Sequence, residues 1–377
     1  MNKTMKVFSA LSIIFVVMMH IGHSWIYEPL TYTPVWRMPS FIFISGYFFK
    51  EIYCLDKVSY LKRKFKSLII PLYGYSLFYG LIITVLLNMN IISFGKKLDF
   101  TSYFIETFLH SHQYEFTSAM WFLPILFLTQ IIYCFIKQKS PICLNYELLL
   151  MFLMILINFL SVYLSQIGIA NIIYPNLFLP FLKVMFFICF FHLGYLYKVY
   201  IEDKDKYFNI FKLVIPLFIN YSIAAFLCGN TQEITRLENL YFDSSWMNFQ
   251  NKYIFIPFIT SVCGIYFWLQ ISRIIAVAIN KNDFIYKIGD NTFNIMTHHI
   301  FCSFVLNTII FEFIKISNKN YFNFNYDLYY TNVWYKITNF WPFIDFMYVA
   351  IGIIGSIFIG YLFKEIKTIL KSFLFNL

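Results

Sequence analysis

Charge is what this sequence lacks most. Only 13% of its 377 residues are Asp, Glu, Lys or Arg, about half of the roughly 25% found in soluble domains. It has no internal repeat and no stretch that reads as a separate soluble domain, so residues 1–377 are expected to form one unit. Its seven cysteines (Cys54, Cys134, Cys143, Cys189, Cys228, Cys263 and Cys302) contain no C-x-x-C pair, and most lie inside apolar runs. Neither a disulfide framework nor a metal site is expected. What is present instead is apolar: 60% hydrophobic and 23% aromatic residues, with a mean hydropathy of +0.65. No water-soluble fold of this length hides so much apolar surface behind so few charges. A soluble enzyme, a disordered chain and a small disulfide scaffold are excluded, which leaves a multi-span, all-α membrane protein.

A crossing takes about 20 largely apolar residues. On that rule ten transmembrane helices are expected, near 5–26, 38–54, 67–92, 119–136, 146–165, 177–198, 212–229, 253–272, 288–314 and 342–363. Pro29 and Pro34 separate the first two, and Pro141 and Pro175 flank the fifth. The basic start, Met1 to Lys6, resembles a signal peptide, but no small-residue cleavage pattern follows it. An uncleaved first helix is the expectation.

The net charge of +10 is a topological signal before it is a nucleic-acid one. Most of the 29 basic residues fall in alternate loops on one side, among them Lys3 and Lys6, the run Lys57 to Lys66, Lys198 to Lys212, and Lys364 to Lys371. That bias predicts cytoplasmic N- and C-termini and a cell inner membrane location, with lipid and not nucleic acid as the surrounding partner. The longer loops of the opposite side, near 95–118, 230–252 and 315–341, are rich in aromatics, Asn and Asp. They suit either a carbohydrate or lipid head group, or simply an interfacial aromatic belt.

Ionisable groups at bilayer depth are costly and point to function. The candidates are His20, His23, Lys183, His192, His298 and His299. At 1.5 Å per residue, His20 sits about 21 Å, His299 about 18 Å and Lys183 about 22 Å from the cytoplasmic ends of their helices. Three proton-handling or cationic groups at one depth on three helices suggest a site. His23, His192 and His298, taken singly, read as helix-to-helix hydrogen bonders, and His23 lies near the interface, one turn above His20.

Four blocks then carry a resemblance. Val16-Val17-Met18-Met19-His20 ends the first span, and Arg37-Met38-Pro39-Ser40-Phe41-Ile42-Phe43-Ile44-Ser45-Gly46-Tyr47-Phe48 opens the second. Met120-Trp121-Phe122-Leu123-Pro124 lies in the fourth, and Gly289-Asp290-Asn291-Thr292-Phe293-Asn294-Ile295-Met296-Thr297-His298-His299 in the ninth. In this order the chain resembles the acyltransferase type 3 family of integral-membrane O-acyltransferases, most closely its fucose 4-O-acetylase-like branch acting on bacterial surface polysaccharides. The family spacing selects His299 over His298. The sequence departs from the pattern at Ser9, where many members carry Arg, and at Arg37, where the branch often has His. It departs again at Arg63-Lys64-Phe65-Lys66, which replaces an R-x-x-R.

The resemblance implies transfer of an acetyl group from cytosolic acetyl-CoA, the co-substrate, to a sugar hydroxyl of a surface polysaccharide such as an exopolysaccharide or O-antigen, or of its lipid-linked precursor. His20 is then the general base, with an acetyl-imidazole on the same residue as the other option. His299 shares or orients the proton. On the acceptor side stand Arg37, Lys183, His23 and Trp121; Arg37 either holds an acidic group or anchors the helix at the interface. On the donor side stand Lys62, Arg63 and Lys66, with Ser45 and Gly46 leaving room for the pantetheine arm. A positive-inside anchor and small-residue helix packing are the plainer accounts of those two sets. The competing class is a polysaccharide or lipid-linked sugar transporter or flippase without acyl chemistry. It predicts pseudo-symmetric halves, which the sequence does not contain.

Overall fold

Asn2 opens the first helix. Its side-chain oxygen accepts the Thr4 N–H at 2.9 Å, the N-cap role that suits asparagine, and α1 then runs over Lys3–Met19. The computed structural model describes residues 2–20, 34–137, 143–168, 175–205, 207–228, 242–249, 252–320, 322–337 and 343–375. Among them all regular structure is helical, apart from one isolated bridge between Asp243 and Asn248. A 3-10 turn, Pro34–Trp36, leads into α2 (Arg37–Tyr47). Next come α3 (Lys57–Lys64) and α4 (Ile70–Asn88), fused by a π turn over Phe65–Ile69. α5 (Phe122–Lys137), α6 (Leu144–Gln166), α7 (Pro175–Leu196) and α8 (Phe211–Cys228) follow. The chain ends with α9 (Ile256–Ala278), α10 (Phe284–Asp290), α11 (Thr292–Ser317), α12 (Tyr326–Thr331) and α13 (Phe343–Phe375).

Seven described helices are long and apolar enough to cross a membrane: α3–α4 together, α5, α6, α7, α9, α11 and α13. The other three expected spans correspond to α1, α2 and α8, of 17, 11 and 18 residues. Several boundaries differ from the hydropathy reading for local reasons. The third span begins at Lys57, not near 67, because Asp56 caps it by accepting the Ser59 N–H at 3.0 Å. Hydropathy misses that start because Lys57, Lys62, Arg63 and Lys64 make the first turns polar. The ninth is broken at Asn291 into α10 and α11. His23, Pro29 and Pro141 lie outside the described residues.

Packing separates a central helix from peripheral ones. α1 buries residues on every side, from Met5 to Met18, because α2, α9, α10, α11 and α13 surround it. By contrast, 28% of α6 is buried, against 83% of α7. Such a peripheral helix turns its Leu and Phe to lipid, where apolar exposure costs nothing. α2 is locked on both flanks. Ser40 Oγ donates to Ser12 Oγ of α1 at 2.8 Å. On the other flank Gly46 lies against the Phe191 carbonyl of α7, and Gly194 of α7 lies against the Phe43 carbonyl and the Tyr47 N–H. Any side chain at either glycine would collide with backbone, so the two helices meet at their closest approach. Trp36, fully buried, stacks on Trp268 of α9 with ring centroids 5.6 Å apart and fixes the start of α2.

Candidate active site

Two cavities, each of about 580 Å³, lie at opposite ends of α1. One face of that helix runs through both. Lys6, Ser9 and Ile13 line the lower cavity, and Ile13, Val16 and His20 the upper. The spacing of three and four residues keeps all of them on one stripe. Ile13, Phe41 of α2 and Met296 of α11 line both cavities, so the two meet at a collar of apolar side chains. The collar is two helical turns from Lys6 below and from His20 above, about 10 Å each way.

The lower cavity is basic and aromatic. Arg63 and Lys64, from the end of α3, line it, with the Arg63 guanidinium 4.3 Å from the Tyr53 ring centroid and 5.4 Å from that of Tyr60. Tyr53 and Tyr60 stack at 5.1 Å. Lys6 pairs with Asp290 across the floor. Ser45 lines the wall, whereas Gly46 turns away to α7 and serves packing, not passage. Lys62 and Lys66 are exposed and line neither cavity. Of the expected donor-side cations the structure therefore brings in Arg63, and adds Lys64. Between Lys64 and Lys66 begins the π turn, a change of helical phase that simple spacing does not anticipate.

In the upper cavity His20 lies at the end of α1, its N–H bonded to the Val16 carbonyl at 3.3 Å. The ring is not sealed among lipid-facing residues; it lines the cavity with Arg37, Trp121, His112, Glu115, Asp243 and Trp334. His299 stands beside it, ring centroids 5.1 Å apart. His299 Nδ1 lies 2.8 Å from the Ile295 carbonyl and 3.1 Å from that of Met296. A carbonyl only accepts, so Nδ1 carries the proton and the neutral ring keeps its lone pair on Nε2. That Nε2 is buried and has no hydrogen-bond partner among the described residues. His298 points the other way. Tyr79 Oη sits 2.7 Å from its Nδ1 and Phe363 stacks on its ring at 5.7 Å. His192 is likewise a helix tie, bonded to Tyr133 Oη at 2.8 Å and the Glu147 carbonyl at 3.0 Å.

Lys183 is fully buried, its ammonium 4.4 Å from the centroid of Trp121 and without a hydrogen-bond partner among the described residues. Trp121, not Lys183, forms the cavity wall. The three groups expected at one depth thus split: the two imidazoles meet, and the amine stands apart on the tryptophan side.

Loops complete the upper cavity, and these the sequence reading located only as segments. Ser111 and Glu115 take positive φ, +57° and +36°, on either side of His112, and Met247 does so at +53° beside Asp243–Trp246. Residues other than glycine hold such backbone only where the surroundings impose it. Here Gln113 does so, bonding the Ser102 carbonyl at 2.9 Å and Thr107 Oγ1 at 2.7 Å. His112 stacks on Trp246 at 4.6 Å. Burial, with a smaller push from the charge of Lys183, brings His112 down to about 3, so it is a neutral ring at physiological pH. Burial raises the Glu115 carboxyl and brings the Lys336 ammonium down to about 7. Among the described residues no cluster of His, Cys, Asp or Glu could hold a metal ion.

An imidazole pair at one cavity and a basic pocket at the other thus adjoin across a shared apolar collar. No curated protein and no solved structure matches the chain. The family model described as an acyltransferase domain matches residues 5–365, nearly the whole length. The chain therefore belongs to the acyltransferase type 3 family and is a membrane acyltransferase.

Proposed function

We propose that this protein is an O-acetyltransferase of the cell inner membrane, moving an acetyl group from cytosolic acetyl-CoA to a sugar hydroxyl of a surface polysaccharide or its lipid-linked precursor. The lower cavity takes the donor, with Arg63 and Lys64 toward its phosphates and Ser45 beside the pantetheine arm. The thioester passes the collar of Ile13, Phe41 and Met296 and reaches His20. There the imidazole takes the proton of the acceptor hydroxyl, which alone is a poor nucleophile. The hydroxyl oxygen attacks the thioester carbonyl, the C–O bond forms, and the C–S bond breaks. The leaving thiolate takes the proton back from the imidazolium. His299, whose Nε2 accepts no hydrogen bond among the described residues, takes one from the single His20 ring N–H when the substrates bind, and the other His20 nitrogen is then the base. Arg37 faces an anionic part of the acceptor, and Lys336, whose charge reaches His20 without lining the cavity, adds positive potential there.

On this reading α1, α2 and α8 join the seven long helices in ten crossings, with both termini in the cytoplasm. The 3-10 turns Pro34–Trp36 before α2 and Glu51–Cys54 shortly after it lengthen its passage. The single observation that carries the reading is the shared collar, which sets the Arg63–Lys64 cavity and the His20 cavity end to end along α1. A flippase requires no base at the end of such a bore, and the family match disfavours one. The test is glycan mass spectrometry on cells carrying wild-type protein or His20→Ala at equal membrane abundance. Loss of the acetyl mass increment in the mutant is expected, and unchanged acetylation would remove His20 from the reaction. Purified protein should also release free CoA thiol from acetyl-CoA only when acceptor is present.

A further inference from the structure

His20 is the C-cap residue of α1, and a general base must be held to within a fraction of an ångström. Two rings lie against it. One is His299, its own plane set by the Ile295 and Met296 carbonyls. The other is Trp334, whose ring is stacked on His20 with centroids 4.9 Å apart and planes 17° from parallel.

Trp334 belongs to no long helix, but the loop that carries it is tied down at both ends. The Trp334 N–H donates to Asn332 Oδ1 at 2.9 Å. Asn307 of α11 donates to the Tyr335 carbonyl at 2.8 Å, and the Asn325 N–H donates to Tyr335 Oη at 2.8 Å. Beyond it, the Ile337 N–H donates to Tyr348 Oη of α13 at 3.2 Å. The indole is therefore a fixed plate, anchored to the same helix that carries His299.

We infer that Trp334 is a positioning residue for His20, holding the imidazole by its face and stabilising the imidazolium that forms when the base takes its proton. The inference rests on the role proposed above for His20. The near-parallel stack matters chemically. A plate against the ring face blocks neither nitrogen, so one remains free to meet His299 and the other to meet the acceptor hydroxyl. It also supplies what the surroundings withhold. Arg37 and Lys336 both act electrostatically on His20, and as cations they oppose a second positive charge there. The negative face of an indole attracts one, by an amount equivalent to roughly 3- to 30-fold in rate. A plate lost from the site also frees the ring to tilt, and a misplacement of about 1 Å costs on the order of 100-fold.

The experiment is a series at this position, Trp334→Phe, Trp334→Leu and Trp334→Ala, in the full-length protein. The turnover number and both KM values are measured, with the protein quantified in the membrane. The expected order of turnover is Trp, then Phe, then Leu and Ala together about 30-fold or more below wild type, with donor and acceptor KM within about threefold throughout. Leucine keeps the apolar volume but not the plate, so the Phe–Leu difference reads positioning even if alanine does not fold. A raised acceptor KM with unchanged turnover would make Trp334 a sugar platform and overturn the inference, as would Leu matching Phe. Should His20→Ala retain full turnover, the base assignment itself falls, and that result is distinct from either failure at Trp334.

Discussion

The two cavities have the same size but are built differently. The lower one is walled mainly by helices, α1, α2, α3–α4, α5, α10 and α11, and its cations, Lys6 of α1 and Arg63 and Lys64 of α3, all stand on helices. The upper one shares the α1, α2 and α11 walls of that frame, with the turn leading into α5. Its remaining walls are the strained loops around His112–Glu115 and Asp243–Trp246, and Trp334. Rigid walls suit a ligand that never changes, and loops on a fixed scaffold suit one that varies. On the proposed function the first is acetyl-CoA and the second is a glycan. The comparison teaches that donor and acceptor recognition are separable here, with only the collar in common.

The largest effect should come from the upper end. His20→Ala is expected to lower transfer on the order of 1,000-fold, the typical contribution of a general base, while CoA binding measured by calorimetry stays at the wild-type value. Loss of CoA binding in that mutant would break the separation. Next, Arg63→Ala combined with Lys64→Ala should raise the donor KM roughly 10- to 100-fold, two charge-assisted contacts being removed, with turnover at saturating donor little changed. Lys62→Ala with Lys66→Ala, outside the cavity, should move donor KM less than about twofold. Equal effects from the two pairs would mean that surface charge, not the cavity, gathers the donor.

A smaller, pH-dependent effect sharpens the acceptor side. Lys336 is brought down to about 7 by burial, so its ammonium is present below pH 7 and lost above it. For an anionic acceptor, KM should therefore rise severalfold between pH 6 and pH 8. Lys336→Arg, charged throughout, should flatten that profile, whereas Lys336→Met should fix KM at its high-pH value. The smallest kinetic effect is expected at His298. His298→Gln should leave turnover within about threefold but lower thermal stability, because it disturbs a buried hydrogen bond to Tyr79 worth about 1–3 kcal/mol when left unsatisfied. His299→Gln, one residue on, should do the reverse.

How much of this was legible in the sequence differs by element. The membrane class follows from composition alone, and His20, Arg37, Trp121, Ser45 and Arg63 were singled out by motif and depth; all five line a cavity. Depth arithmetic also anticipated that His20 and His299 share a level, which a straight helix allows. It does not give rotation, so Lys183, at the same level, is found apart on Trp121. Lys62 and Lys66 carry the charge the donor side calls for, but Lys62 turns outward from the same helix that carries Arg63 inward, and the π turn from Phe65 resets the phase before Lys66. Gly46 leaves room either for a ligand arm or for helix packing, and the structure uses it for packing. His112, Glu115, Asp243 and Trp334 left no periodic signal, since loops held by side-chain bonds carry none. Only the aromatic richness of their segments pointed toward them.

One consequence of the α2–α7 contact reaches the whole bore. α2 carries Arg37 at the top, Phe41 in the collar and Ser45 below, all on one stripe, while its back is keyed to α7 through Gly46 and Gly194. The three gates along the path are thus ganged on a single shaft whose bearing lies on the far side. A methyl group added at Gly194, which touches no ligand, would push that shaft inward and narrow every station at once.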